Sequence, residues 1–220
     1  MTLAFVDACV LVTALPRSIL YLASALETTD YQLVYSPYVE DEAVKNQRPG
    51  TVPVTTLRMA LDWIVVPDVS DLVSFDFYDT DPKDRPVLAA AIANQAPFII
   101  TANIKDFGPA DLKTYQMTVV HPGLWLAHRL TADDYVETLT RLCAKRQRDP
   151  KTPLATHIQE VAVELPDLFE RYRNVFGPIA PSMQPQLHQT YRGTSCVACG
   201  QPISDSGPLC PLHRIQPTVP

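Results

Sequence analysis

Glycine is scarce in this chain. Seven glycines among 220 residues leave no Gly-rich loop to cradle a phosphate. Basic residues are outnumbered, 18 Lys and Arg against 24 Asp and Glu, for a net charge of −6. Any nucleic-acid contact must therefore use local cations against an unfavourable overall field. No apolar run approaches the roughly 20 residues that span a bilayer. Met1 to Leu11 has no basic stretch ahead of its apolar residues, so no secretory signal is expected. The cysteines, only five and odd in number, do not form a disulfide framework, and a reducing, cytoplasmic setting is expected. What is present suits a folded protein. At 46% hydrophobic and 19% charged, the composition argues against disorder, collagen and coiled coil. The length suffices for one filled core plus an appendage.

Short apolar runs alternate with helical patterns. Strands are expected at Leu3–Val6, Tyr31–Tyr35, Ile64–Val66, Phe98–Thr101 and Met117–Val120. Between them, Ile19, Leu22, Ala23 and Leu26 mark one face of a helix starting near Ala14. Ser36-Pro37 reads as a hydroxyl cap with proline in the first turn of a helix that stops before Pro49. Another helix is expected over Pro53–Trp63, and one from Asp84 to Ala93. Strands separated by helices imply parallel pairing through crossovers, hence a three-layer α/β domain. Leu124 to Asn174 reads as helical, broken near Asp149–Pro153 and at Pro166. Within it, Asp133–Arg148 would bury Tyr135, Val136, Leu139, Leu142 and Cys143, and its basic end, Lys145, Arg146 and Arg148, suits the helix dipole or an acidic or RNA partner. From about Phe176 proline recurs and no hydrophobic period survives, which reads as linker and tail. The expected organisation is a body at 1–125, a helical extension at 126–175, a linker at 176–193 and a small tail module at 194–215.

Ligands of open parallel sheets bind at the C-terminal ends of the strands, where strand order reverses. Asp7 ends the first strand; Asn103 and Asp106 follow the strand ending at Thr101. If those strands are neighbours, these side chains converge, and Asp84, at the start of the helix leading into the second of them, and Glu42, on the helix after strand two, could face the same volume. Crowded carboxylates raise one another's pKa, a conflict that a hard divalent cation such as Mg²⁺ or Mn²⁺ removes. Such an ion also acidifies water for attack on a phosphodiester. Each acid has a plainer role as well: Asp84 as a helix cap, Glu42 as a solvated helix residue, Asp106 as a turn residue. Asp7, ending a buried strand, needs a partner in any case. Arg17, Lys45, Arg48, Lys83, Arg85 and Lys105 lie near these segments and are candidate phosphate contacts or ordinary surface charges.

Four stretches resemble the PIN-domain ribonucleases, the fold of VapC-type toxins: Val6-Asp7-Ala8-Cys9-Val10-Leu11; Ser36-Pro37-Tyr38-Val39-Glu40-Asp41-Glu42; Asp84-Arg85-Pro86-Val87-Leu88-Ala89-Ala90-Ala91; and Thr101-Ala102-Asn103-Ile104-Lys105-Asp106-Phe107. The resemblance covers roughly residues 1–175. It implies a mostly parallel central sheet. It implies that Asp7, Glu42 and Asp84 coordinate Mg²⁺ or Mn²⁺ with Asp106 as fourth acid, and that Thr101 orients Asp7. Asn103 stands where many PIN domains have aspartate; its amide can ligate through oxygen but adds no charge. Glu40 and Glu42 face differently on a helix, and the six-residue spacing from Ser36 favours Glu42. The implied activity is metal-dependent hydrolysis of single-stranded RNA. The implied setting is a toxin–antitoxin pair, with an antitoxin protein as partner and a possible homodimer. Two alternatives stay open: a catalytically weak binding module, and an RNA-maturation nuclease.

The tail carries Cys196-x2-Cys199-Gly200 and Cys210-x2-His213. Two close ligand pairs suit a tetrahedral Cys₃His zinc site, with Gly200 allowing the tight turn of a knuckle. So short a segment would fold only with its metal.

Overall fold

The computed structural model describes residues 1–49, 51–57, 63–69, 74–145, 154–179, 189–203 and 207–214. Its elements run β1 (Thr2–Val6), α1 (Ala8–Val12), α2 (Ala14–Ser24), β2 (Tyr31–Tyr35), α3 (Pro37–Asn46), α4 (Val54–Leu57), β3 (Ile64–Val65), α5 (Arg85–Ala93), β4 (Phe98–Ile100), α6 (Pro109–Thr114), β5 (Thr118–Val120), α7 (Pro122–Arg129), α8 (Ala132–Lys145), α9 (Leu154–Glu164), α10 (Pro166–Arg171), β6 (Tyr191–Gly193) and α11 (Pro211–Arg214). Residues 58–62 of the expected helix after Pro53, and the expected break at 149–153 together with Arg146 and Arg148, lie outside the described residues.

The sheet has six strands in the order β3-β2-β1-β4-β5-β6. All neighbours are parallel except β5 and β6. Strand order reverses between β1 and β4, which pair directly, Val6 opposite Ile100. The five expected strands are present. The sixth is not foreshadowed by the sequence: Tyr191-Arg192-Gly193 sits in a proline-rich stretch without apolar alternation, yet it pairs antiparallel along β5.

Apart from the consecutive α1 and α2, which touch, helices contact one another mainly in two groups, α1, α3, α4 and α5 in one and α2, α7, α8, α9 and α10 in the other, which gives the three layers. The central strands are dry on both faces: Ala4, Phe5, Val6, Phe98, Ile99, Ile100, Val119 and Val120 are all fully buried. Such near-continuous apolar runs are what a doubly covered parallel sheet demands. Each large side chain there contributes about 1.5–3 kcal/mol of burial. Alanines 89, 90 and 91 of α5 are buried, so this helix can lie close to its neighbours.

The helical extension is pinned to the body by aromatics. Trp125 packs against Tyr31 and Phe98, and the Arg129 guanidinium lies 4.4 Å over the Trp125 ring while pairing with Asp30. Tyr172 stacks on Tyr135 and donates its hydroxyl to the Leu130 carbonyl. In α8, Tyr135, Leu139 and Leu142 face inward as expected, but Val136 is 36% exposed and Thr138 takes the buried place instead. The helical arm also breaks at Leu130–Thr131, a site without proline or glycine; there Asp134 accepts from the Thr131 N–H and hydroxyl and starts a new helix. Among the described residues, no helix is long and apolar enough to cross a membrane.

Candidate functional site

Asp7 follows the last residue of β1, where the strand order reverses. Its own N–H donates to the Ile100 carbonyl on β4, so the neighbouring strand fixes its backbone. Its carboxylate is held from two sides. Oδ1 accepts from Ala8 N–H at 2.6 Å, capping α1. Oδ2 accepts from the Thr101 hydroxyl at 2.6 Å and from the Cys9 thiol at 3.0 Å. Thr101 is fully buried and its Oγ1 also receives the Asn103 N–H. Thr101 thus ties the end of β4 to Asp7, the orienting contact expected of it. Cys9, counted in the sequence only among the cysteines, shares that role; burial pushes its thiol well up, and the nearby Asp7 charge adds to this, so it stays protonated and can donate.

The other acids are tied to Asp7 electrostatically, directly or through Asp84. Asp84 heads α5, but its side chain makes no cap hydrogen bond, so helix capping does not account for it. Burial pushes the Asp84 carboxyl up to about 7, with Asp7, Asp106, Glu42 and Asp81 adding negative field. Glu42, half-buried on α3, is also raised, by burial and then by Asp7; Lys45 and Lys83 pull it back. Asp106 ends the turn of Ile104–Asp106 that follows β4. Asp7, Asp106 and Glu42 therefore all lie within electrostatic reach of Asp84, and Asp7 within reach of Glu42. Asn103 opens the same turn with its side chain exposed.

Further contacts frame this crevice. Tyr38 donates its hydroxyl to the Lys83 carbonyl, and burial followed by Glu42, Asp84, Asp7 and Asp68 raises its pKa. Asp68 accepts the Tyr38 N–H with both oxygens and so does the capping expected of Ser36. The Ser36 hydroxyl is buried with no side-chain cap bond. Of the expected phosphate contacts, Lys45 and Lys83 lie by Glu42. Arg17 does not serve: it is 6% exposed and donates to the Leu11 carbonyl at the end of α1. Arg85 donates its Nε to the Thr80 carbonyl.

The approach to Asp84 is stapled to α6. The Asp111 carboxylate accepts backbone N–H groups of Tyr78, Asp79 and Thr80, and Asp79 in return accepts those of Ala110 and Asp111. The Asp81 N–H then donates to the Asp106 carbonyl, and the Asp84 N–H to that of Asp81. Two of the four acids are linked through this backbone chain. No sequence signal marks it, because its partners lie some thirty residues apart.

A second cluster lies in the tail. One ligand atom each of Cys196, Cys199, Cys210 and His213 falls within 4.8 Å of every other. Cys199 and Cys210 Sγ are 3.9 Å apart, and His213 Nδ1 is 3.1 Å from Cys210 Sγ and 3.7 Å from Cys196 Sγ. Gly200 has φ +75°, the left-handed turn that only glycine adopts cheaply, and its N–H donates to the Cys196 carbonyl. Cys196 and Cys210 are buried while Cys199 is exposed.

A doubly covered, mostly parallel sheet with an acidic crevice at its switch point defines a three-layer α/β protein. Residues 4–105 match the PIN domain family, and the chain carries a PIN domain there. Over 48 residues the chain is 46% identical to a Mycobacterium tuberculosis (strain ATCC 25618 / H37Rv) protein named "Putative ribonuclease VapC50". That match covers 22% of this chain and 28% of the relative, so the chain spans well under half of that protein. No solved structure gives a significant match.

Proposed function

We propose that the chain is a metal-dependent endoribonuclease that hydrolyses phosphodiester bonds of single-stranded RNA, acting as the toxin of a toxin–antitoxin pair. The observation that carries this reading is the convergence of Asp7, Glu42, Asp84 and Asp106 at the switch point, with Asp84 free of any capping role. Carboxylates that disfavour one another's charge fit a hard divalent cation, which relieves that conflict. Asp7, Glu42, Asp84 and Asp106 would hold Mg²⁺ or Mn²⁺, with the Asn103 amide as a neutral donor beside them. That ion would supply charge for the phosphodiester and acidify the attacking water.

The chain's own residues do the rest. Thr101 and Cys9 hold Asp7 Oδ2 in one orientation, so the carboxylate reaches the crevice preorganised. Lys45 and Lys83 offer the positive charge for an RNA backbone that the acidic protein otherwise repels. The expected antitoxin would be a protein partner, and a homodimer of this chain is part of the same reading.

The tail cluster fits a structural zinc ion. In a tetrahedral site with Zn–S of about 2.3 Å and Zn–N of about 2.0 Å, ligand atoms sit roughly 3.5–3.8 Å apart. The measured spacings bracket that range. Four protein donors leave no open position, so Cys196, Cys199, Cys210 and His213 would hold the metal for structure.

The test is RNA cleavage by purified protein with and without Mn²⁺, beside Asp7→Asn and Asp84→Asn prepared identically. Mn²⁺-dependent cleavage lost in both variants is the expected result. Wild-type protein that binds RNA but never cuts it across several substrates would overturn the reading in favour of a binding module.

A further inference from the structure

The tail does more than trail the body. β6 pairs with β5 through Thr118 opposite Gly193, Val119 opposite Arg192 and Val120 opposite Tyr191. Past the strand, Thr118 Oγ1 accepts the N–H groups of both Thr194 and Ser195, which steers the chain directly into the cluster at Cys196. Gly193 is required for this approach: a Cβ there would lie 2.5 Å from the Thr118 backbone. Cys196 and Val197 are then fully buried, Val197 within the main core. The cysteine loops and the sheet therefore share one packed unit.

The middle residue of β6 reaches the turn that bears Asp106. Arg192 Nη1 donates to the Phe107 carbonyl at 2.6 Å and to the Lys105 carbonyl at 3.4 Å. Those two carbonyls flank Asp106. The Asp106 carbonyl in turn takes the Asp81 N–H, and Asp81 the Asp84 N–H. Hydrogen bonds, joined through the backbone of 105–107 and of Asp81, lead from the tail to two of the four acids. A guanidinium is suited to this because it is always charged and offers several donors in a fixed plane.

We propose that zinc held by Cys196, Cys199, Cys210 and His213 clamps β6 onto β5, and that Arg192 is thereby a positioning residue that fixes the turn bearing Asp106. Occupancy of the tail site sets the order of the turn that bears Asp106. The consequence for catalysis rests on the nuclease reading; the mechanical coupling does not.

The test uses the full chain, zinc-loaded, zinc-stripped, and as Arg192→Ala, Arg192→Lys and Cys199→Ser. Metal analysis should give one zinc per chain in wild type and both Arg192 variants, and none in Cys199→Ser. Cobalt exchanged into the site should give thiolate charge-transfer absorption. Backbone hydrogen exchange over 103–108 supplies the second readout, taken without Mn²⁺. Zinc removal should speed exchange over both 189–196 and 103–108. Arg192→Ala should speed it about tenfold over 103–108 alone, as expected for a lost charged hydrogen bond, with partial rescue in Arg192→Lys. RNA cleavage should fall in parallel in Arg192→Ala, at unchanged zinc content. Exchange over 103–108 that ignores both zinc removal and Arg192→Ala would overturn the proposal, as would wild-type protein that binds no zinc. Coupled exchange in a protein that never cuts RNA would uphold the brace and sink only the nuclease.

Discussion

Asp7, Glu42, Asp84 and Asp106 come from four separate segments and are brought within electrostatic reach of Asp84 by the tertiary fold, whereas Cys196, Cys199, Cys210 and His213 lie within one short stretch and meet through two tight turns. The first set offers hard oxygen donors on a framework already fixed by strand pairing and a dry core. The second offers soft sulfur and nitrogen donors on a segment with little core of its own. A fold-borne site should lose its chemistry without losing its structure when one ligand is removed. A locally borne site should do the reverse.

Asp7→Asn is the sharpest probe of that contrast. Cleavage is expected to drop about a thousandfold, within the range for losing a group acting on the reacting centre. The melting temperature should barely move, because the amide oxygen can still accept the Ala8 N–H while the Thr101 hydroxyl turns to accept from the amide nitrogen. A fall of many degrees beside the lost activity would break the comparison. Cys199→Ser is the converse: zinc content should vanish and protection from exchange over 191–203 should fall about a hundredfold, while β1 to β4 keep theirs. Loss of protection through the whole sheet would show that the tail is part of the framework throughout.

Asp111→Ala tests the staple between the two. It leaves three backbone donors without their carboxylate and should cost about 2–3 kcal/mol by denaturant titration. pH gives an independent view. Burial alone would raise the Asp111 carboxyl, but hydrogen bonds from Tyr78, Thr80 and Asp79 outweigh it and hold it below its usual range. Its contribution is therefore present above about pH 4, the value in an unfolded chain, and is lost as pH falls through the lower folded value. Asp111→Asn should lose that part of the acid sensitivity in a series of melts. Thr101→Val removes one bond to Asp7 and should cost about tenfold in cleavage and about 1 kcal/mol in stability. Cys9→Ser keeps a donor to the same oxygen and should stay within about threefold of wild type in the cleavage assay.

Legibility follows the range of the interactions. The five body strands are written in their own apolar runs. Asp7 stands out because it ends a strand and Asp84 because it starts a helix, whereas Glu42 and Asp106 stand out only through their motifs, and the PIN match over residues 4–105 agrees with the family seen in those motifs. The cysteine pairs are legible by spacing alone. What escaped the sequence is either brief or non-local. α1 and α6 are five and six residues long, too short for a helical period. β6 has three residues and takes its structure from Thr118 and β5. Ser36 has the look of a cap, yet Asp68, some thirty residues on, takes the N–H of Tyr38. Arg17 reads as a surface cation, but the end of α1 draws it inside.

β6 also decides what the protein presents to its own kind. At the opposite side of the sheet β3 has only two residues, too few to template another chain. The other side would present β5, whose Thr118, Val119 and Val120 are wholly buried and strongly β-forming. Laid antiparallel over it, three unremarkable residues occupy the donors and acceptors that a second molecule would otherwise pair with. Were β6 to detach, as the proposed loss of zinc would allow, β5 would become an open edge on which a second copy of the chain could pair.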